Sequence, residues 1–451
     1  MSGYAEYREV NLPWLKAVPA HWEIRRNKNI FTEQKEIVGE RSADYTLLSL
    51  TLNGIIPRDM DGGGKFPESF DKYKIVKNGD MAFCLFDIDE TPRTVGLSGY
   101  NGMLTGAYTI MRVSNINARF IYYYYLALDN GKMLRPLYTG LRKTININTF
   151  QSTKVPVPPR EEQDQIVRFL DWKVSSINKL INIKKKEIKA IDALKRSTVS
   201  HAITRGLTAD APMKYSGVKW LGDIPQRWYT VPLYAIAQVK SINNCIDLPL
   251  MSVYLDAGVV PFVEREEKRT NATSKDLTNY QRVDPGDFVL NNQQAWRGSV
   301  GVSFHSGIAS PAYIVLSLNN TLDSHYANYL FRSRCMVDQY LVISRGVGSI
   351  QRNLYWSALK RVVVPIPSKK EQMEIVEYLD GLNNKFDATI KKLTEEVAVL
   401  EEYKNKIIAD TVTGKIDVRG IEIPEYEFVD EDNDNVDENL EQGADEPPEE
   451  E

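Results

Sequence analysis

Along two stretches of the chain, apolar residues recur at alternating intervals of four and three. In the first stretch the positions are Leu170, Val174, Ile177, Ile181, Lys184, Ile188 and Ile191. This is the a/d seam of a coiled-coil helix and predicts a helix over about 160–204. In the second, Leu379, Asn383, Phe386, Ile390, Leu393, Val397 and Leu400 keep the same rhythm and predict a helix over about 368–413. Each seam position of the second helix lies 209 residues after its counterpart in the first. A helix of about 44 residues extends roughly 65 Å at 1.5 Å per residue and has to bury its stripe. The nearest partner is the other copy in the same chain. Lys184 and Asn383 are the one polar guest in each seam, a residue type that sets register and partner orientation at some cost in stability. The pair is expected to act as a spacer and to bind a further partner.

Ahead of the first stretch the pattern is one of short β-type runs, Tyr45–Leu50, Met81–Phe86 and Tyr108–Val113, separated by turns such as Asp61-Gly62-Gly63-Gly64. A helix over 120–128, carrying Tyr122 to Tyr125, is expected to pack on that sheet. Adjacent residues on a helix point in different directions, so core packing explains the four tyrosines better than a stacking platform. Pro156-Val157-Pro158-Pro159 ends the block, because proline cannot continue a strand ladder.

The whole arrangement then returns. Trp14, Pro19 and Trp22 recur as Trp220, Pro225 and Trp228, each 206 residues on, and are expected to fasten the chain entry of each block. Gly79-Asp80 recurs as Gly286-Asp287, Gly96, Ala107 and Tyr108 as Gly301, Ala312 and Tyr313, and Tyr125-Leu126 as Tyr329-Leu330. Val155, Pro156, Pro158, Glu162, Gln163, Ile166, Val167, Leu170 and Asp171 return 209 residues later as Val364, Pro365, Pro367, Glu371, Gln372, Ile375, Val376, Leu379 and Asp380. The expected organisation is a globular domain at 1–158, a helix at 159–206, a second domain at 207–367, a helix at 368–416 and a tail at 417–451. The fold class is α+β: two similar globular α/β domains separated by two long helices, an internal repeat of pseudo-twofold character.

Charge sharpens this picture. From Glu422 onward the chain has 15 acidic residues and no Lys or Arg, which leaves 45 acidic against 56 basic residues elsewhere, a balance of +11. A basic body fits a polyanion partner. The tail lacks apolar periodicity and is expected to be disordered. Cys84, Cys245 and Cys335 are far apart and form no Cys-x-x-Cys pair, which argues against a disulfide framework or zinc site. No apolar run approaches the roughly 18 residues of a membrane span. The segment MSGYAEYREV lacks a secretory layout, and a reducing cytoplasm is expected.

Catalytic signatures are missing. No phosphate loop, Asn-Pro-Pro-Tyr or Asp-Pro-Pro-Tyr run, His-Glu-x-x-His, Gly-x-Ser-x-Gly or dinucleotide fingerprint occurs. Asp256 upstream of Glu266-Glu267-Lys268 loosely resembles a metal-holding nuclease set, but the first half has no counterpart and the stretch reads as a charged loop. Polar residues suited to reading bases are a better lead. Asn291, Asn292, Gln293, Gln294, Trp296 and Arg297 follow the expected strand Asp287–Leu290, and Arg345, Gly346, Gly348, Gln351 and Arg352 form a second segment. In the first domain the candidates are Arg93, in the loop Glu90-Thr91-Pro92-Arg93, and Arg142, Lys143, Asn146 and Asn148. Asn and Gln can pair bidentately with adenine, and Arg with guanine, in the major groove. Loops carried on a sheet are where such side chains reach a groove.

The element Val155-Pro156-Val157-Pro158-Pro159-Arg160-Glu161-Glu162-Gln163, its copy Val364-Pro365-Ile366-Pro367-Ser368-Lys369-Lys370-Glu371-Gln372, and the Leu170-Asp171 and Leu379-Asp380 pairs that follow resemble those of the specificity subunits of type I restriction-modification enzymes. So do the helix ends, Thr204-Arg205-Gly206-Leu207 and Thr413-Gly414-Lys415-Ile416. The resemblance spans about 12–420. It implies a non-catalytic subunit with two target recognition domains, each reading half of a bipartite asymmetric site on double-stranded DNA. It also implies long helices that pair as an antiparallel coiled coil and dock two modification subunits, which methylate adenine. Restriction subunits with translocase and nuclease activity join the full complex. S-adenosylmethionine and ATP with Mg belong on those partners, and no cofactor belongs to this chain. Competing readings are a non-catalytic coiled-coil scaffold with two binding modules, a self-sufficient nuclease built on Asp256, and the specificity subunit of a methylation-only system.

Overall fold

The computed structural model describes residues 3–52, 54–58, 67, 69–140, 143–262, 276–347 and 351–430. It divides into two compact units, one made of 1–186 with 393–451 and the other of 187–392. Each unit therefore takes one part of each long helix, Arg160–Arg205 and Lys369–Val412.

The core of unit 1 is a four-stranded antiparallel sheet in the order Phe31–Gln34, Thr109–Val113, Asp80–Phe83, Val95–Leu97. Strand side chains alternate between faces. Met81, Phe83 and Met111 accordingly enter the main core, while Ala82, Cys84 and Ile110 enter a smaller cluster under the hairpin Leu48–Thr51/Gly54–Pro57. Both faces are covered, so every residue of Asp80–Phe83 is buried. The helix Ala118–Asn130 packs on the sheet and starts at Asn117, whose side chain accepts from the Arg119 and Phe120 amides. Tyr123, Tyr124 and Tyr125 are buried in it, in line with core packing.

Unit 2 repeats this plan with Ala237–Val239, Tyr313–Leu318, Phe288–Asn291 and Val300–Val302 in the same order. Phe288 and Leu290 enter the main core, and Val289 the smaller one. Two helices, Ser324–Arg332 and Arg334–Ile343, occupy the place of the single helix. A two-stranded ribbon closes each domain: Glu23–Arg26 with Lys154–Val157, and Tyr229–Pro232 with Val363–Ile366. The prolines at 156 and 365 are tolerated because each ribbon strand has a neighbour on one side only.

The repeated Glu-Gln element is a joint between domain and helix. Trp22 Nε1 donates to Glu162 Oε1 at 2.9 Å, and Trp228 Nε1 to Glu371 Oε1 at 3.0 Å. Gln163 donates to the Pro158 carbonyl and accepts from the Asn117 amide, both at 2.8 Å. Gln372 does the same with Pro367 and Asp323. Asp171 accepts from Tyr123 at 2.7 Å, and Asp380 from Tyr329 at 2.6 Å. Each long helix is thus bonded to the start and to the first turns of its own domain helix.

The two long helices lie antiparallel within each unit. In unit 1, Lys184 pairs with Glu396 at 3.0 Å and Lys404 donates to Asn178 at 3.2 Å, so rising numbers meet falling ones. In unit 2, Lys195 pairs with Asp387 at 2.6 Å, while Ala202 and Ile203 share a core with Ile375 and Leu379. Leu170, Ile177, Ile181, Leu379 and Leu393 of the seam are buried, and the other nine are half-buried. The polar guests both have partners, since Asn383 donates to the Tyr329 hydroxyl at 2.8 Å.

Two expectations need correction or restriction. The tail pattern predicts disorder from 417, yet residues 417–430 lie along the first long helix of unit 1, with Gln165 donating to the Val418 and Ile421 carbonyls. Side-chain amides bond the backbone of an extended segment, and that interaction does not require the helical apolar periodicity by which an ordered element is read from sequence. The Gly62-Gly63-Gly64 turn and residues 431–451 lie outside the described residues. Among the described residues, no helix is long and apolar enough to cross a membrane.

Candidate nucleic-acid interface

In unit 2 the central strand Phe288–Asn291 runs directly into the candidate loop. Asn291 Oδ1 accepts from the Gln293 amide at 3.1 Å, a local Asx bond that turns the chain. A short 3-10 turn, Ala295–Arg297, follows and ends at Gly298, whose φ of 108° lies in the left-handed region that glycine adopts freely. Trp296 Nε1 donates to the Gln293 carbonyl at 2.9 Å and so fixes its ring across the loop.

The second candidate segment arrives at the same place. Arg345–Val347 pairs with Gln351–Asn353 in a hairpin, and the next amide, Leu354, donates to the Asn292 carbonyl at 2.9 Å. The guanidinium of Arg297 lies 4.7 Å from the Trp296 ring centroid and that of Arg352 lies 5.9 Å from it. Two cations therefore share one indole. Gln293, Arg297 and Arg345 are exposed, and Asn291, Gln294 and Arg352 are half-buried. Gly348 and the side chain of Gln351 lie outside the described residues. Amides and guanidiniums of this kind can read base edges or hold phosphates.

The equivalent loop of unit 1, between Asp80–Phe83 and Val95–Leu97, has a different character. The chain pattern puts Arg93 on an exposed loop, but its side chain is 14% exposed. It bonds Asp129 at 3.2 Å and Asn130 at 2.7 Å, tying the loop to the end of the Ala118–Asn130 helix. Lys143 pairs with Glu90 at 3.2 Å and Asp89 at 3.4 Å. The Tyr138 hydroxyl and Arg135 also donate to Asp89, and these bonds hold its carboxyl below the usual range. Asn146 caps the helix Ile147–Ser152 by accepting from the Asn148 amide at 2.9 Å. Arg93, Lys143 and Asn146 are therefore committed to the architecture of unit 1 itself, the first two through acids that lie within reach. Arg142 lies outside the described residues.

Of the Asp256 set only Asp256 is described, and its main-chain carbonyl accepts from Arg332; Glu266, Glu267 and Lys268 lie outside the described residues. Among the described residues no group of His, Cys, Asp or Glu could hold a metal ion. What the chain pattern does not reveal is the organising role of Trp296. It depends on Arg352, which is brought to the ring only by the hairpin.

The chain matches the family described as "Type I restriction modification DNA specificity domain" over residues 70–191 and 225–399. It is 24% identical over 441 residues to the type I restriction enzyme MjaVIII specificity subunit of Methanocaldococcus jannaschii, covering 92% of this chain and 98% of that protein. It is 25% identical over 428 residues to the putative type I restriction enzyme MjaX specificity subunit of the same organism, covering 89% and 95%. Its fold is similar to a solved chain from work on complex assembly and conformational transition of a type I R-M system, with a TM-score of 0.58 at 14% identity, over 88% of this chain and 99% of that one.

Proposed function

Because the chain belongs to the type I restriction modification DNA specificity family, it is a non-catalytic DNA-recognition subunit, and we propose that it reads a bipartite, asymmetric target with one half-site per unit and docks two adenine-methyltransferase subunits. The observation that carries the reading of DNA is the meeting of Gln293 and Arg297, on the loop after the central strand, with Arg352 of the neighbouring hairpin around Trp296. Asn291, Gln294, Arg345 and Gln351 complete the proposed reading surface of unit 2. Asymmetry of the target is supported by the contrast with unit 1, where the matching loop is internally paired. Arg93 is left out of the proposed surface, and Lys143 and Asn146 shape the loop rather than read bases.

Docking of partner subunits on the long helices is supported by their exposed apolar side chains. Leu180, Ile183 and Leu194 on the first helix and Val399 and Tyr403 on the second are 44–63% exposed, a pattern that marks protein contact surfaces when clustered. DNA affinity in this reading comes chiefly from Lys and Arg on phosphates and falls steeply with salt.

The test is the methylated motif in cells that express this chain with its modification subunit. Arg297→Ala and Arg352→Ala are expected to relax or abolish one half-site, with a loss of about 1–3 kcal/mol per lost bidentate contact, and to leave the other half-site intact. A motif identical to that of the unaltered chain in both variants sinks the assignment of this loop.

A further inference from the structure

The first long helix carries a second stripe beside its apolar seam. Ser175, Asn178 and Asn182 each follow a seam residue, Val174, Ile177 or Ile181, by one position, and steps of three and four put them on one face. They are only 2%, 5% and 6% exposed. Buried hydroxyls and amides require partners, and all three bond the backbone of residues 427–430, with Asn178 also accepting from Lys404 at 3.2 Å. Ser175 Oγ donates to the Glu427 carbonyl at 3.0 Å and accepts from the Val429 amide at 2.8 Å. Asn178 donates to the Val429 carbonyl at 3.2 Å, and Asn182 to the Asp430 carbonyl at 2.9 Å. Earlier on the same helix, Gln165 donates to Val418 and Ile421.

All of these bonds go to main-chain atoms, the way a groove binds an extended peptide. Apolar packing adds little at the far end. Ile421 and Ile423 rest on the unit 1 core, but Tyr426 and Phe428 stay 38% and 49% exposed, with Arg119 over the Phe428 ring at 5.5 Å. The segment alternates apolar residues with Glu422, Glu425, Glu427 and Asp430 and has no Lys or Arg. The repeat supplies an internal control. At the positions 209 residues on, the second helix carries Asn384, Asp387 and Lys391, and all three are exposed. The groove thus belongs to the first helix alone.

We propose that this face of the first long helix is a peptide-backbone groove held shut in cis by residues 421–430, and that it binds an extended acidic segment of the same alternating chemistry supplied in trans once its own is displaced. Attachment through main-chain bonds with few buried side chains makes the strap a low-stability element that opens without unfolding its unit.

The probe is a fluorescent peptide of residues 421–430 added to the full chain and to a variant ending at Gly420. Saturable binding to the shortened chain, at least tenfold weaker binding to the full chain, and at least a tenfold loss in the shortened Asn178→Leu/Asn182→Leu variant are expected. Methylating the peptide nitrogen of Val429 is expected to abolish binding, since that N–H donates to Ser175. No binding to the shortened chain, or equal binding to both chains, overturns the proposal. Hydrogen exchange on the full chain tests it without truncation. The Val429 amide is expected to be protected, and to lose protection in Ser175→Ala; exchange at the rate of an unstructured peptide in the unaltered chain overturns the proposal as well.

Discussion

Glu371 shows how much one side chain of the repeated motif accomplishes. Burial by itself raises its pKa. Hydrogen bonds from Trp228, Arg227 and Ser368, with the Arg227 charge, outweigh that and hold the carboxyl below its ordinary value. A carboxylate depressed in the folded state contributes stability that is present above its unfolded pKa, about 4.3 for Glu, and is lost as pH falls through the folded value. Trp228→Phe removes a donor and leaves the carboxylate short of a partner, at an expected cost of about 1–3 kcal/mol at pH 7. Glu371→Gln is expected to be less stable than the unaltered chain at pH 7 and to lose less stability on acidification below about pH 4.3. Urea midpoints at both pH values check this, and equal acid sensitivity of the two chains contradicts a depressed carboxyl. Recurrence in the sequence singles out Glu162, Gln163, Asp171 and their copies, but not their task. Their partners Trp22, Asn117 and Tyr123 are 140, 46 and 48 residues away, and no local pattern encodes such a meeting.

At the scale of elements, the long helices are the most legible part, because a periodic stripe reports directly on a buried face. The observed spans, Arg160–Arg205 and Lys369–Val412, lie within a residue of those the seams predict, about 160–204 and 368–413, while the second helix stops four residues short of the 416 boundary. Both helices stop before a glycine in the left-handed region, Gly206 at φ 74° and Gly414 at φ 75°, the usual helix stop. The seam is not uniform. Ile181 is fully buried in unit 1, whereas Ile188 and Ile191 are half-buried in unit 2. Ile181→Ala is therefore expected to cost about 2–5 kcal/mol and Ile188→Ala less than half of that. Equilibrium denaturation compares them, and equal losses contradict the burial argument. The strands fall within a few residues of their expected positions, since alternation locates a strand better than its ends. The segment 417–430 escapes any reading of its own pattern because it is held by amides of another element rather than by apolar spacing.

For the whole molecule, the proposed reading makes the long helices a spacer between half-sites. Four residues inserted at matched positions in both helices lengthen each by about 6 Å, nearly two base-pair steps of DNA. The number of unspecified bases in the methylated motif is expected to grow while both half-sites keep their sequence. A spacer unchanged in the methylated sites of such a variant contradicts the proposal. Exchanging residues 1–158 for another such domain is expected to alter one half-site only. The duplication, the α+β class, the helix seams and the family resemblance can all be read from the chain alone, because repeats and periodicity are properties of residue order. Which polar side chains remain available is decided by tertiary structure. Arg93 and Lys143 look as free in the sequence as Arg297, yet folding brings Asp129 to the first and Asp89 and Glu90 to the second, while Arg297 is set against an indole. A charge is spent or spared by what lies within a few ångströms of it, and that distance exists only once distant segments have packed together.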